Sequence, residues 1–138
     1  MLTAVRWLQN MKASISETKE IEIDKLQRYM LLKVVARSSF FGKIEIKRLQ
    51  DRERTFDFGD VDDIESYGVR ASISDDESKE ALFDSYIACP STLNPKQMEA
   101  SAKHFYDFSN RAQCEQYAER FLASVEQVFR DHHRDYAL

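Results

Sequence analysis

Only three glycines and two prolines punctuate the 138 residues of this chain. Tight turns draw on these two residues, so a turn-dense all-β fold and a collagen-like chain are both excluded. What remains is a set of regular elements joined by few sharp turns. Nine Phe, six Tyr, one Trp and a hydrophobic fraction of 43% supply enough apolar surface for a packed core, which a disordered chain lacks. The length suits a single domain.

Apolar spacing divides the chain. Leu2, Val5, Leu8 and Met11 recur every three residues and predict a short helix over 2–12, with Trp7 at its edge. Ser14 and Glu17 fit a capping box that opens a second helix ending near Arg37. Ile23, Leu26, Met30 and Val34 form its stripe, and Leu31 and Val35 widen it toward a second face. The stretch Tyr29–Ala36 taken alone fits a buried strand equally well. An apolar face this wide exceeds what one small domain covers, which admits a homo-oligomer. After Gly42 the period changes. Lys43–Lys47, Arg54–Phe58 and Val69–Ile73 alternate, and they predict a three-stranded antiparallel meander over residues 43–73, with 60–67 as an acidic loop or a single helical turn.

Ser74 to Glu77 is a second capping box, opening a helix that ends near Ala88. Asn94-Pro95 begins another. Asn110 with Gln113 starts the last. There Cys114, Ala118, Phe121, Val125 and Val128 are spaced four, three, four, three, a seam for a helix of about 20 residues. The expected fold is a single α+β domain: two N-terminal helices, a small three-stranded antiparallel sheet, then three helices including a long C-terminal one.

The net charge of −4 conceals a gradient. Residues 1–56 hold 12 Lys/Arg against 7 Asp/Glu, residues 57–80 hold 2 against 9, and the remainder 6 against 8. The acids at Asp57, Asp60, Asp62, Asp63, Glu65, Asp75, Asp76, Glu77 and Glu80 lie within a short stretch. Such a run is either a solvated face or a docking surface that steers a basic partner. It lacks the pattern of a calcium-binding hand. The functional expectation is a non-enzymatic, small acidic protein–protein interaction module (an inhibitor, accessory subunit or adaptor) that docks another protein's basic surface through residues 57–80.

Two rival readings compete. Glu45-Ile46-Lys47 on a strand resembles half of a Mg²⁺-dependent nuclease site, in which the carboxylate holds the ion and the lysine activates water, although no aspartate stands on a preceding strand. Lys43, Lys47, Arg48, Arg52 and Arg54, next to Phe40 and Phe41, fit a nucleic-acid contact. Interrupting acids and a pI near 5.4 weigh against it.

No catalytic nucleophile pattern surrounds Cys89, Cys114 or His104, and glycines at 42, 59 and 68 make no phosphate loop. His132 and His133, between Asp131 and Asp135, point about 100° apart on a helix and would not share one ion. Neither a metal nor a cofactor is expected. Two cysteines suit a reducing compartment as small hydrophobes, with one disulfide between them left open. No leader pattern or bilayer-length apolar run stands out, so a cytoplasmic location and no membrane partner are expected.

Overall fold

In a computed structural model, residues 2–10, 12–16, 19–56, 58–88 and 91–131 are described. Seven α-helices dominate: α1 (Leu2–Asn10), α2 (Lys25–Arg37), α3 (Lys43–Arg54), α4 (Asp60–Ser72), α5 (Asp76–Ile87), α6 (Pro95–Phe105) and α7 (Arg111–Asp131). Strands β1 (Lys12–Ser16) and β2 (Lys19–Glu22) pair antiparallel, Lys12 opposite Glu22 and Ser16 opposite Lys19. A 3₁₀ turn at Phe108–Asn110 leads into α7.

The expected α+β fold is therefore wrong: this is a helical domain, and helices α3 and α4 occupy the span expected to be a meander. The alternation at 43–47 misled because Ile44 and Ile46 are both apolar, yet Ile46 is buried and Ile44 is 67% exposed. The buried line of α3 is Ile46, Leu49 and Glu53, a helical period with a carboxylate in it. In α4, Asp62, Val69 and Ser72 share the buried face while Arg70 is exposed. Apolar residues alone could not reveal a stripe half of whose members are polar.

Helix α2 shows the same inversion. Ser14 lies in β1, and the cap that opens α2 is Asp24, whose side chain accepts from Gln27 N–H at 2.8 Å while Gln27 Oε1 accepts from Asp24 N–H at 2.9 Å. The helix buries Tyr29, Leu32, Val35 and Ala36. Leu26, Met30 and Val34, expected to form its stripe, are 55%, 64% and 48% exposed. Tyr29, Leu32 and Val35 join Leu8, Ile46 and Val69 in the principal core. A second core holds Phe83, Cys114 and Tyr117, with the rings of Phe83 and Tyr117 4.9 Å apart and those of Phe105 and Tyr117 5.2 Å apart. Cys114 is a buried thiol, pushed up by that burial; Cys89 lies outside the described residues.

Polar groups, rather than further apolar ones, lock these helices together. Asp62 has no exposed surface. Its carboxylate accepts from Lys25 Nζ and Tyr29 Oη, each at 2.7 Å, and from Gly59 N–H at 2.9 Å. Burial alone would raise its pKa; Lys25, Tyr29 and the Gly59 amide more than offset this and hold it below the ordinary aspartate range. Arg28 donates to Glu53 at 2.7 Å, and Lys33 to Glu65 at 2.5 Å. Lys79, fully buried in α5, donates to the carbonyls of Ala71 and Phe105, near the C-terminal ends of α4 and α6, and lies 4.7 Å from the centre of the Phe105 ring. Two helix C-termini thus converge on one amine, a favourable electrostatic setting.

Two outcomes follow from these contacts. Asp62→Ala leaves the buried Tyr29 hydroxyl without its acceptor and removes the carboxylate that Lys25 and the Gly59 amide share, and should lower unfolding free energy by about 3–5 kcal/mol in urea titrations; a loss below about 1 kcal/mol would refute the network's role. Burial pushes Lys79 down from 10.5 to about 8. Between those values the unfolded chain carries a proton that the folded chain has shed, so Lys79 makes stability rise with pH from 8 to 10, by at most about 1.4 kcal/mol per pH unit. Cys114, pushed up from 9.0 by burial, acts in the opposite sense from about pH 9, and Tyr29, Tyr86 and Tyr117, pushed up from 10, do so from about pH 10, so the Lys79 contribution is read as the difference between wild type and Lys79→Met. In urea unfolding at pH 8, 9 and 10 the stability of the wild type relative to Lys79→Met should rise with pH, and a constant difference would refute the Lys79 linkage.

Candidate functional site

The acidic segment does not form one open patch. Asp57 lies outside the described residues. Asp62 is interior. Glu65 is half-buried against Lys33, and Asp63, although exposed, sits 3.5 Å from Arg54. Asp75 caps α5 by accepting from Ser78 N–H at 2.7 Å and also holds Lys43 at 2.6 Å, which keeps its carboxyl near 2. Glu77 meets the same lysine at 3.2 Å, Asp76 accepts from Gln113, and Asp60 is exposed. Glu80 and Asp84 both face Arg120 of α7. Lys25, Lys33, Lys43 and Arg54, all from the basic first part of the chain, pair with acids between 62 and 77. The charge gradient is in large part complementarity within the molecule.

The basic candidates separate as well. Lys43, Lys47 and Arg54 line a groove of about 380 Å³ between α3 and α4, joined by Arg70 and by the carboxylate of Asp51. Lys43 is already held by Asp75 and Glu77, and Arg54 lies 5.5 Å from the Phe58 ring centre as well as near Asp63. Arg52 donates to the Gln9 carbonyl at 2.6 Å, and Arg48 does not line the groove. Phe40 and Phe41 stack edge-on with each other. Glu45 and Lys47 stand two residues apart on a helix, about 200° around its axis. The strand on which the nuclease reading rested is absent, and so is its convergent pair. Among the described residues no group of three or more His, Cys, Asp or Glu side chains converges as a metal site. His132, His133 and Asp135 fall outside the described residues. No described helix is long and apolar enough to cross a membrane.

A different surface stands out. Trp7 of α1 and Ile23, Met30, Leu31 and Val34 in and before α2 wall a groove of about 430 Å³, closed at one end by Lys33, Arg37 and His104. It exists because α2 turns its charged residues inward. Lys25, Arg28 and Lys33 are 20%, 11% and 11% exposed, whereas the ridge Leu26–Met30–Val34 at i, i+4, i+8 faces solvent. Lys33 reaches Glu65 across Gly68, where a methyl group would come within 2.7 Å of Lys33 Cε and 3.2 Å of His104 Cδ2. The absence of a side chain at 68 lets the cationic end of the groove close up.

Helices α1 and α2 together carry Arg6, Lys25, Arg28, Lys33 and Arg37 and no carboxylate. Arg37 reaches Asp107 at 3.1 Å through one terminal nitrogen, while its Nε is buried with no hydrogen-bond partner. His104 is held below its usual pKa by burial and by the neighbouring Lys33 and Arg37. The groove therefore offers an apolar floor, with the Arg37 Nε–H buried beneath the surface. Its lining is mostly apolar, so burial is the interaction it offers. The sequence did signal the ridge, as the four-residue spacing of Leu26, Met30 and Val34, but that spacing reads identically for a core-facing stripe and for an exposed one. No protein-family model matches this chain, and comparison with curated proteins finds no match.

Proposed function

We propose that this protein acts by binding another polypeptide, as a non-enzymatic interaction module, and that its contact surface is the apolar groove between α1 and α2. The observation that carries this reading is the exposed ridge Leu26–Met30–Val34 beside Trp7. Contiguous apolar ridges of this kind are covered in working proteins, because exposing them to water is unfavourable. The groove has the form that accepts the apolar face of an amphipathic helix at i, i+3/i+4, i+7 spacing. Docking of a basic partner by residues 57–80 draws less support, since most of those acids already hold cations of the same chain.

Trp7 is the single tryptophan and lines the groove, so its fluorescence reports occupancy without a label. A helical probe peptide with leucines at i, i+3, i+4 and i+7 should bind saturably and shift Trp7 emission to the blue. Met30→Glu places a charge in the groove and should weaken that binding at least tenfold, about 1.4 kcal/mol or more. Equal binding by wild type and variant, or no Trp7 response at any peptide concentration, would remove the groove from the account.

A further inference from the structure

Helices α3 and α4 run antiparallel, and three contacts set their register. Arg54, at the end of α3, lies 3.5 Å from Asp63 in the first turn of α4. One turn back along α3, Gln50 Nε2 donates to the Ser66 carbonyl at 3.3 Å. At the start of α3, Lys43 holds Asp75, just past the end of α4, at 2.6 Å. This register sets Lys47 opposite Arg70. The rungs at the two ends join a cation to an acid; the rung between Lys47 and Arg70 sets a cation against a cation. Both side chains line the α3–α4 groove of about 380 Å³, both are exposed, and neither has a hydrogen bond or an ion pair among the described residues. Like charges set across from each other repel, and an anion shared between them offsets the repulsion.

The rest of the lining narrows what that anion belongs to. Ile46, Tyr67 and Ile73 give the groove an apolar wall, the first buried and the other two half-buried. Asp51 lines it one turn from Lys47 and forms no ion pair among the described residues. A carboxylate there repels a bare anion but accepts from a hydroxyl or an amino group. The cations at the two ends are neutralised, Lys43 by Asp75 and Glu77 and Arg54 by Asp63. A strand of phosphodiesters leaving the groove at either end would meet those carboxylates. The uncommitted positive charge is confined to the middle, where it suits one phosphate attached to a small body that is flat on one side and carries donors on another.

We propose that the α3–α4 groove binds a nucleoside monophosphate, with its phosphate between Lys47 and Arg70, its base against Ile46, Tyr67 and Ile73, and Asp51 accepting from a sugar hydroxyl or a base amino group. Arg70 offers the paired N–H donors that match phosphate oxygens, and Lys47 a mobile point charge. The groove falls within the range of small-molecule sites, about 300–1,000 Å³. It shares no residue with the α1–α2 groove, so the two sites stand or fall separately.

Calorimetric titration of the full chain with each of the four common nucleoside monophosphates, at millimolar concentration, tests this. At least one should bind saturably at 1:1, about tenfold or more tighter than inorganic phosphate and than the matching unphosphorylated nucleoside. Lys47→Ala and Arg70→Ala should each weaken that binding about tenfold. Arg48→Ala removes an exposed cation of α3 that does not line the groove, and should leave the affinity unchanged. All three positions are exposed, so the fold is retained, as circular dichroism checks. Absence of binding by all four nucleotides would overturn the proposal. So would inorganic phosphate binding as tightly as the nucleotide, a short single-stranded oligonucleotide binding more tightly than its monomer, an affinity unmoved by Lys47→Ala and Arg70→Ala, or an equal loss in Arg48→Ala.

Discussion

Asp62 sits in α4 with no contact with solvent, yet it accepts hydrogen bonds from a lysine, a tyrosine and a backbone amide. A carboxylate placed there without those donors would cost several kcal/mol, so any arrangement of α2 that withdrew Lys25 and Tyr29 is strongly disfavoured. The rotation of α2 about its own axis is thereby fixed. Arg28 with Glu53 and Lys33 with Glu65 fix it again, one turn and two turns further along. These pairs are largely shielded from water, so salt screens them far less than it would a surface pair. Once the charged residues of α2 point inward, Leu26, Met30 and Val34 point outward. The groove is a geometric consequence of the interior electrostatics, not a separate feature.

That inversion explains which parts of the fold were legible. Where apolar residues do the burying and caps are simple, sequence and structure agree: α1, although it ends at Asn10 rather than residue 12, the end of α2 at Arg37, the Asn94-Pro95 start of α6 and the length of α7. The cap of α5 moved by one residue, from Ser74 to Asp75. Helices α3 and α4 were lost because Glu53, Asp62, Gly68 and Ser72 fill buried positions that hydrophobic patterning counts as exposed. With those positions missing from the stripe, the remaining apolar residues sampled a period of two. The hairpin of β1 and β2 was missed because Ser14 and Glu17 imitate a capping box, while the working box, Asp24 with Gln27, went unread. Partners for buried charges lie 25 to 37 residues away in the chain, beyond the reach of any local pattern.

The candidate site followed the same logic. The segregation of charge was visible, but its meaning was not: a basic first part and an acidic middle are as well suited to each other as to an outside partner. Lys43 between Asp75 and Glu77, and Arg120 between Glu80 and Asp84, join helices far apart in the chain. Being exposed, such pairs contribute little each, typically below about 1 kcal/mol. Their larger effect is to cancel the field that would otherwise steer a basic protein toward residues 57–80. What stays unbalanced along α2 is apolar area, and that is the reason for assigning partner recognition to burial rather than to long-range charge.

The claim that interior polar pairs set the rotation of α2 is tested most directly by following the side-chain carboxyl carbon of Asp62 by NMR as pH is lowered. The account predicts that it titrates below the ordinary aspartate range, together with loss of the native fold, because its ionised form is the one that Lys25, Tyr29 and Gly59 hold. A carboxyl that titrates at or above the usual value while the chain stays folded would contradict it, and would leave the outward ridge of α2 without a cause.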